Sequence, residues 1–482
     1  MTESMVASRS RAQAAAGREQ GLHLGVAERA ARGKAVRSAL PLDQHSEVGG
    51  EPVDVLTLLT EQERGRVEDL LPIRHGRMLA SPFAFYRGAA GVMAADLAAV
   101  PNSGLQVQLC GDAHLSNFGV YATPERRLVF DVNDFDETLP GPFEWDVKRL
   151  AASVAVAGRG NGHQSRDRTD TVLAVASTYR TAMRQFAKMG NLAVWYASLD
   201  VEQAMADLAP RIKSSDRRRT RAALDRARTR DNADALRKLT RTGTGGHARF
   251  VDDPPLIVPV DRLFSLVDAT ELRRGLLEVL RSYRDTLVED RRHLLDQFDL
   301  VDVARKVVGV GSVGTRAFVL LLTGRDDQDP LVLQAKEASA SVLEPYCGQS
   351  EYANAGQRVV VGQRLVQAAS DIFLGWDQLT GVDGVARDFY VRQLRDGKAS
   401  ADVEDMSPRR LAVYGQFCAW TLARAHARSG DRVAIAAYLG KRDTFERAVA
   451  EFAEGYADRT DAQFHQLRDA ADHGDLAVTT GV

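Results

Sequence analysis

Between Val53 and Leu71 apolar residues recur at helical spacing, and LASPFAFYRGAAGVMAADLAAV predicts a second apolar helix around residues 84–99. The period then shortens: LQVQLC (105–110) and RLVFDV (127–132) read as short buried strands flanking a loop. Helices are expected at 144–158 and 167–208, then a long surface loop in the Gly- and Pro-broken GTGGHARFVDDPPLIVP, then a helix over 270–296. From Ala304 to Leu394 the alternation is that of strands. KVVGVGSVG, TRAFVLLLTG and PLVLQAKEA are three β-rich runs joined by short turns, SEYANAGQRVVVGQRLVQ reads as a helix entering a strand, and RDFYVRQL is one more strand. After Ser407 the pattern is helical to the end. Residues 1–50, rich in Ala, Arg, Gly and Ser and poor in large apolar side chains, are expected to form a mobile extension. The fold class is therefore α+β: a large helical lobe (51–300), a small sheet-rich lobe (301–398) and a second helical part (399–482), without internal repeats.

Composition narrows the function classes. A hydrophobic fraction of 44% and a charged fraction of 27% suit a globular protein, and a net charge of -2 supplies no overall field favouring nucleic acid or an anionic membrane. Cys110, Cys347 and Cys418 are odd in number and far apart, neither a disulfide framework nor a metal pair, which suits a reducing cytoplasm. The first residues lack the apolar core of a signal peptide, and no apolar run reaches membrane-spanning length. RIKSSDRRRTRAALDRARTR (211–230) holds nine Lys or Arg against two acidic residues; it reads as a solvated charged helix or as a landing site for an acidic substrate or phosphate.

The chemistry concentrates in two stretches. CGDAHLSNFG and LVFDVNDFDET gather Asp112, His114, Asn117, Asp131, Asp134, Asp136 and Glu137 at the ends of apolar strand segments. Carboxylates so close repel unless a cation neutralises them, and oxygen donors suit Mg²⁺. The five-residue interval from Asp112 to Asn117, with Asp134 a further 17 residues on, is the spacing of a phosphotransferase catalytic loop. The second stretch places Gly309, Gly311, Ser312 and Gly314 in GVGSVG. Such a run also marks dinucleotide-binding turns, but those open a helix, whereas a strand-like segment follows here, which favours ATP over NAD. Lys336 closes the third strand and is expected to grip nucleotide phosphates, held by a carboxylate from the next helix: Glu351, with Glu344 as competitor. Arg74, Arg77 and Arg87 either hold an anionic acceptor or pair with the carboxylates.

The first stretch resembles the HGDxHxxN and IDF[DE] motifs of aminoglycoside phosphotransferases and choline kinases, members of the protein-kinase-like superfamily. That resemblance implies a two-lobed fold, Asp112 as catalytic base, Asn117 and Asp134 as metal ligands, Asp136 as an auxiliary ligand, and Asp146 in EWDVKRLA bracing the loop from a helix start. Cys110 stands where those enzymes have His, and His114 either braces the loop or binds metal. The motif order is reversed, and YGQFCAWTLARAHARSGD (414–431) resembles the helix that ordinarily precedes the catalytic loop, which implies a circular permutation. From about residue 50 the chain also resembles the bacterial family catalogued as domain of unknown function 2252, through RHGRMLASPFAFYRG, LCGDAHLSNFG, VFDVNDFDET, EWDVKRLAAS, GQRLVQAASDIFLGW, FYVRQLRD and ARAHARSGD. The expected activity is ATP- and Mg²⁺-dependent phosphoryl transfer to a hydroxyl of a small molecule, with AMP transfer as a variant. A metal-dependent phosphoesterase drawing on His426 or His465, and a non-catalytic nucleotide-binding protein, are the alternatives.

Overall fold

The computed structural model describes residues 24–50, 53–208, 218, 221–222, 224–225, 237–242, 248–263, 266–307, 309–381, 383–394 and 399–481. Most of the basic segment 211–230 lies outside these residues. Among the described residues no helix is long and apolar enough to cross a membrane.

Among the described residues the first α-helices are α1 (Val26–Ala39), α2 (Val55–Glu63), α3 (Leu71–Met78), α4 (Pro82–Gly88) and α5 (Ala90–Ala98). From Val26 onward the expected mobile extension is instead folded: α1 packs so closely on the C-terminal helices that a Cβ on Gly33 would lie 2.1 Å from the Ala434 carbonyl oxygen. Arg29 pairs with Asp431 and Arg37 donates to the Ala437 carbonyl, securing the same contact. The single helix expected over 84–99 is two, because Ala89 leaves helical geometry (ψ 37°) while Ser81 caps α4 through the Ala84 N–H.

Two small antiparallel sheets follow. β1 (Gln106–Leu109) pairs with β4 (Leu139–Pro142), and β2 (Phe118–Ala122) with β3 (Leu128–Val132), the inner strands of a four-stranded sheet edged by Ala399–Ser400 and Leu199–Asp200. Then come α6 (Phe143–Gly160) and α7 (Ser165–Phe186); the expected run to 208 is broken after Phe186 into shorter helices. Part of the expected surface loop, β5 (Ile257–Pro259), forms the edge strand of the main sheet.

The main sheet comprises β5, β6 (Asp299–Lys306), β7 (Ala317–Thr323), β8 (Pro330–Ala338), β9 (Gly375–Thr380) and β10 (Ala386–Gln393) in the antiparallel order β9-β10-β8-β7-β6-β5. Strand alternation divides its two faces. Phe318, Leu320, Leu333, Phe389 and Val391 join Leu276, Val279 and Tyr283 of α8 (Leu266–Tyr283), while Val319, Leu321 and Val332 join a second apolar cluster. Lys336 lies on the latter face, opposite Tyr390. The glycine run is not a strand: β6 ends at Lys306, and Val307 and Val313 are buried against Leu70 and Ile73 instead. Residues Ala355–Val366 (α9) are helical throughout, where an entry into a strand is expected.

The C-terminal helices α10 (Pro408–Ser429), α11 (Arg432–Leu439) and α12 (Thr444–His473) share one core with α6, α7 and the strand pairs, including Phe143, Tyr179, Cys418 and Phe452. The tail beyond α12 runs back over α3. Thr479 N–H donates to the Pro72 carbonyl (2.8 Å), His75 Nδ1 lies 2.8 Å from the Ala477 carbonyl oxygen, and a Cβ on Gly76 would sit 1.9 Å from the Thr479 oxygen.

Candidate active site

The chain leaves β1 through Cys110 and turns at Gly111, whose φ of 83° suits glycine and whose added Cβ would lie 2.3 Å from the Glu137 carbonyl oxygen. Both backbone N–H groups of the turn donate to Asp146 on the first turn of α6, Cys110 at 2.8 Å and Gly111 at 3.1 Å. Behind it, His426 Nε2 lies 3.2 Å from Asp146 Oδ2, and the Tyr179 hydroxyl 2.8 Å from His426 Nδ1. His426 thus belongs to the brace of the loop. Gly111→Ala combines a left-handed backbone with a backbone clash, and is expected to lower thermal stability; an unchanged melting temperature would remove the turn from this account.

This turn presents Asp112 to Arg149, three residues beyond Asp146 on the same helix face. Arg149 Nε and a terminal nitrogen donate to Asp112 Oδ1 at 2.9 and 2.7 Å, while His114 Nε2 is 3.4 Å from Oδ2. Burial alone would raise the Asp112 pKa, but the His114 and Arg149 charges outweigh it and hold the carboxyl well below its ordinary range. The Asn117 amide donates to the Asp112 carbonyl (2.9 Å) and the Asp134 carbonyl (3.2 Å), so one side chain joins the two acidic loops.

The acidic residues then divide. Asp131 is turned into the core, where Arg424 of α10 holds both its oxygens at 2.6 and 2.8 Å. Glu137 accepts from the Val342 N–H and Ser341 hydroxyl and orders the chain after β8. Asp134 and Asp136 face the sheet. Asp134 is raised by burial and by the Asp136 charge, and its side chain is 43% exposed. Asp136 Oδ2 meets Lys336 Nζ in a direct ion pair and accepts from the Ser312 hydroxyl at 3.0 Å, while its Oδ1 accepts from Tyr390 at 2.8 Å. Burial opposes ionisation of Asp136, yet the Lys336 charge lowers its pKa to about 2; Lys336 is correspondingly raised, and lies 4.0 Å from Asp134 Oδ1.

The carboxylate expected from Glu351 is therefore supplied by Asp136. Asn354 caps α9 by accepting from the Gln357 N–H, which leaves Glu351 exposed in the bend before the helix. Glu344 lies 4.0 Å from Arg358 Nε, and Arg358 of α9 donates to the carbonyls of Asp136, Ser339 and Thr138. The glycine run is held by its carbonyls. Arg66 donates to Gly311 and Val313, and the buried Arg74 donates to Val310 and Gly311 while pairing with Glu63. Gly309 precedes the short turn Val310–Ser312, and Gly314 closes it at φ 91°.

Arg149, Arg358, Tyr390 and Arg392 are site residues that motif spacing does not reveal. Arg149 could have been found from its i+3 relation to Asp146, and Tyr390 and Arg392 from strand alternation opposite Lys336 and Gln334.

The oxygen donors fit a divalent cation. The Asn117 amide nitrogen is already spent on two carbonyls, which leaves its oxygen as the acceptor, and Asp134 is partly open with a raised pKa that a cation would relieve. Asp136 fits less well, since both its oxygens are engaged. No curated protein and no solved structure matches this chain. Residues 66–470 match the family described as "Uncharacterized protein conserved in bacteria (DUF2252)", so the chain belongs to that bacterial family.

Proposed function

We propose that this protein is an ATP- and Mg²⁺-dependent phosphotransferase with a permuted, two-lobed kinase-like architecture, acting on a hydroxyl of a small molecule. One observation carries the reading: Lys336, on the second strand after a glycine loop, meets the Asp134–Asp136 segment that Asn117 ties to Asp112, across 200 residues of chain. Two antiparallel strands flanking the loop, a lysine on the next strand and a helix after it match the nucleotide-covering arrangement of kinases. The permutation is supported where α10 ends: Gly430 lies against the Gln106 carbonyl, with Ser429 accepting from the Gln108 N–H, so this helix abuts the strand that leads into the catalytic turn.

In this reading the acceptor oxygen bonds to the γ-phosphorus as the bond to the ADP bridging oxygen breaks. The hydroxyl proton passes to Asp112 and on to solvent. Because Arg149 and His114 keep Asp112 ionised, it serves chiefly to orient the hydroxyl, which suits a loose transition state needing little prior deprotonation. Lys336 remains protonated and carries positive charge to the phosphates, with Asp136, Tyr390 and Ser312 fixing its position. A bound Mg²⁺, held by Asn117 and Asp134, would supply neutralisation of the phosphate oxygens.

Asp112→Asn is expected to lower ATP turnover by about 10²–10⁴-fold while leaving the circular dichroism of the folded protein near that of the parent, with some loss of melting temperature because the buried Arg149 loses its charged partner. Turnover at the parental rate in this variant and in Asp134→Asn would end the proposal.

A further inference from the structure

Arg87 stands between the two halves of the site. Its helix, α4, is pinned to α6 beside Asp112: Arg149 donates to the Tyr86 carbonyl (2.7 Å), stacks 3.9 Å from the Tyr86 ring, and receives at its own carbonyl the Tyr86 hydroxyl (2.7 Å). From above, the glycine run descends until a Cβ on Gly311 would lie 3.6 Å from the Arg87 carbonyl oxygen. Arg74 and Arg66 are consumed by that run's carbonyls, whereas the Arg87 side chain makes no hydrogen bond or ion pair with any described residue, and its Nε is buried without a partner. Asp112 and Glu404 act on it only through space. His114, 8% exposed, likewise has a buried Nδ1 without a partner on the far side of its contact with Asp112.

A guanidinium left unanswered in a partly buried site is costly unless a ligand completes it, and its fork matches planar or tetrahedral oxyanions. Asp112, whose charge acts on Arg87, already has its oxygens turned to Arg149 and His114. A cationic acceptor would meet the Arg87 guanidinium beside the reacting hydroxyl; an anionic one would find a partner in it.

We infer that the acceptor is a hydroxyl compound carrying an oxyanion, phosphate or carboxylate, which Arg87 binds beside His114. This rests on the phosphotransferase reading for the identity of the site as an acceptor site.

The test uses the full chain with ¹⁵N-labelled histidine, titrated with glycerol 3-phosphate, glycerate, glycerol and choline, with and without a non-hydrolysable ATP analogue and Mg²⁺. At least one anionic probe is expected to shift the His114 resonance saturably, with glycerol and choline much weaker; the stronger anion tells phosphate from carboxylate. Arg87→Gln is expected to weaken that binding at least tenfold, and Arg87→Lys less, with melting temperatures and analogue affinity unchanged. The inference is overturned if neither anion binds, if Arg87→Gln binds as well as the parent, or if choline or glycerol matches the anions. Failure of the nucleotide reading shows separately, as an analogue that does not bind or whose binding ignores Lys336→Met, because the anion titration is read without nucleotide as well.

Discussion

Lys336→Met is expected to cut ATP turnover by about 10²–10³-fold and to destabilise the fold by about 3–5 kcal/mol at neutral pH. Both effects have one origin. Lys336 is buried, and its removal leaves the Asp136 carboxylate with Tyr390, Ser312 and the more distant Arg392, Arg358 and Arg66 to answer it. In the parent, Asp136 is lowered from 3.8 to about 2, so its contribution is complete at neutral pH and is lost as pH falls through that interval. In the variant, burial prevails and the folded-state pKa rises above the unfolded one, so the penalty is full at neutral pH and lifts on acidification. The stability gap between the two proteins should therefore narrow from about pH 7 to about pH 4, read from urea midpoints. Lys336→Met with Asp136→Asn should recover most of the stability and none of the turnover. A gap independent of pH would refute the assignment of Asp136 as the partner of Lys336.

The second large effect lies outside the site. Arg424 and Asp131 are each 1% exposed and joined by two hydrogen bonds, with the Ala368 N–H completing the carboxylate. Arg424→Ala leaves a buried charge and is expected to cost about 3–5 kcal/mol, a large share of the roughly 5–15 kcal/mol that holds an ordinary domain together. Replacing the pair together, Asp131→Leu with Arg424→Met, should recover much of this, because burying two apolar side chains avoids desolvating two ions. Denaturant unfolding decides it: a loss below about 1 kcal/mol for Arg424→Ala would mean the pair does not fasten α10 to β3.

What could be read from the residues follows from how local their causes are. Pro330–Ala338 was legible because its apolar run is bounded by turn residues, and Gln106–Leu109 and Leu128–Val132 for the same reason. Gly375–Thr380 carries Trp376, Asp377 and Gln378, a polar edge strand with little apolar signal, and was missed. The glycine run looked strand-like from its valines, but these bury against Leu70 and Ile73, a contact no local pattern reveals, while β6 hides in the charged DLVDVARK. Asp112, Asn117, Asp134 and Lys336 are brought to one place, as their spacing suggested. The partner of Lys336 was misplaced for a physical reason that was available: Asn354 is a helix N-cap, which puts Glu351 ahead of the helix and not on it. Tertiary pairs such as Arg149 with Asp112 need the fold before they can be named, although the helical interval from Asp146 offered a hint.

The backward-running tail over α3 has a practical outcome for anyone purifying this protein. Thr479 rests where any side chain at Gly76 would intrude, on the helix whose Arg74 grips the glycine run. An affinity tag fused behind Val482 would extend from the segment resting on that helix, so a pull on it would load the contact through which Arg74 holds the glycine run. Recombinant work is better served by a cleavable tag placed ahead of Leu24, on the far side of the sequence from that latch.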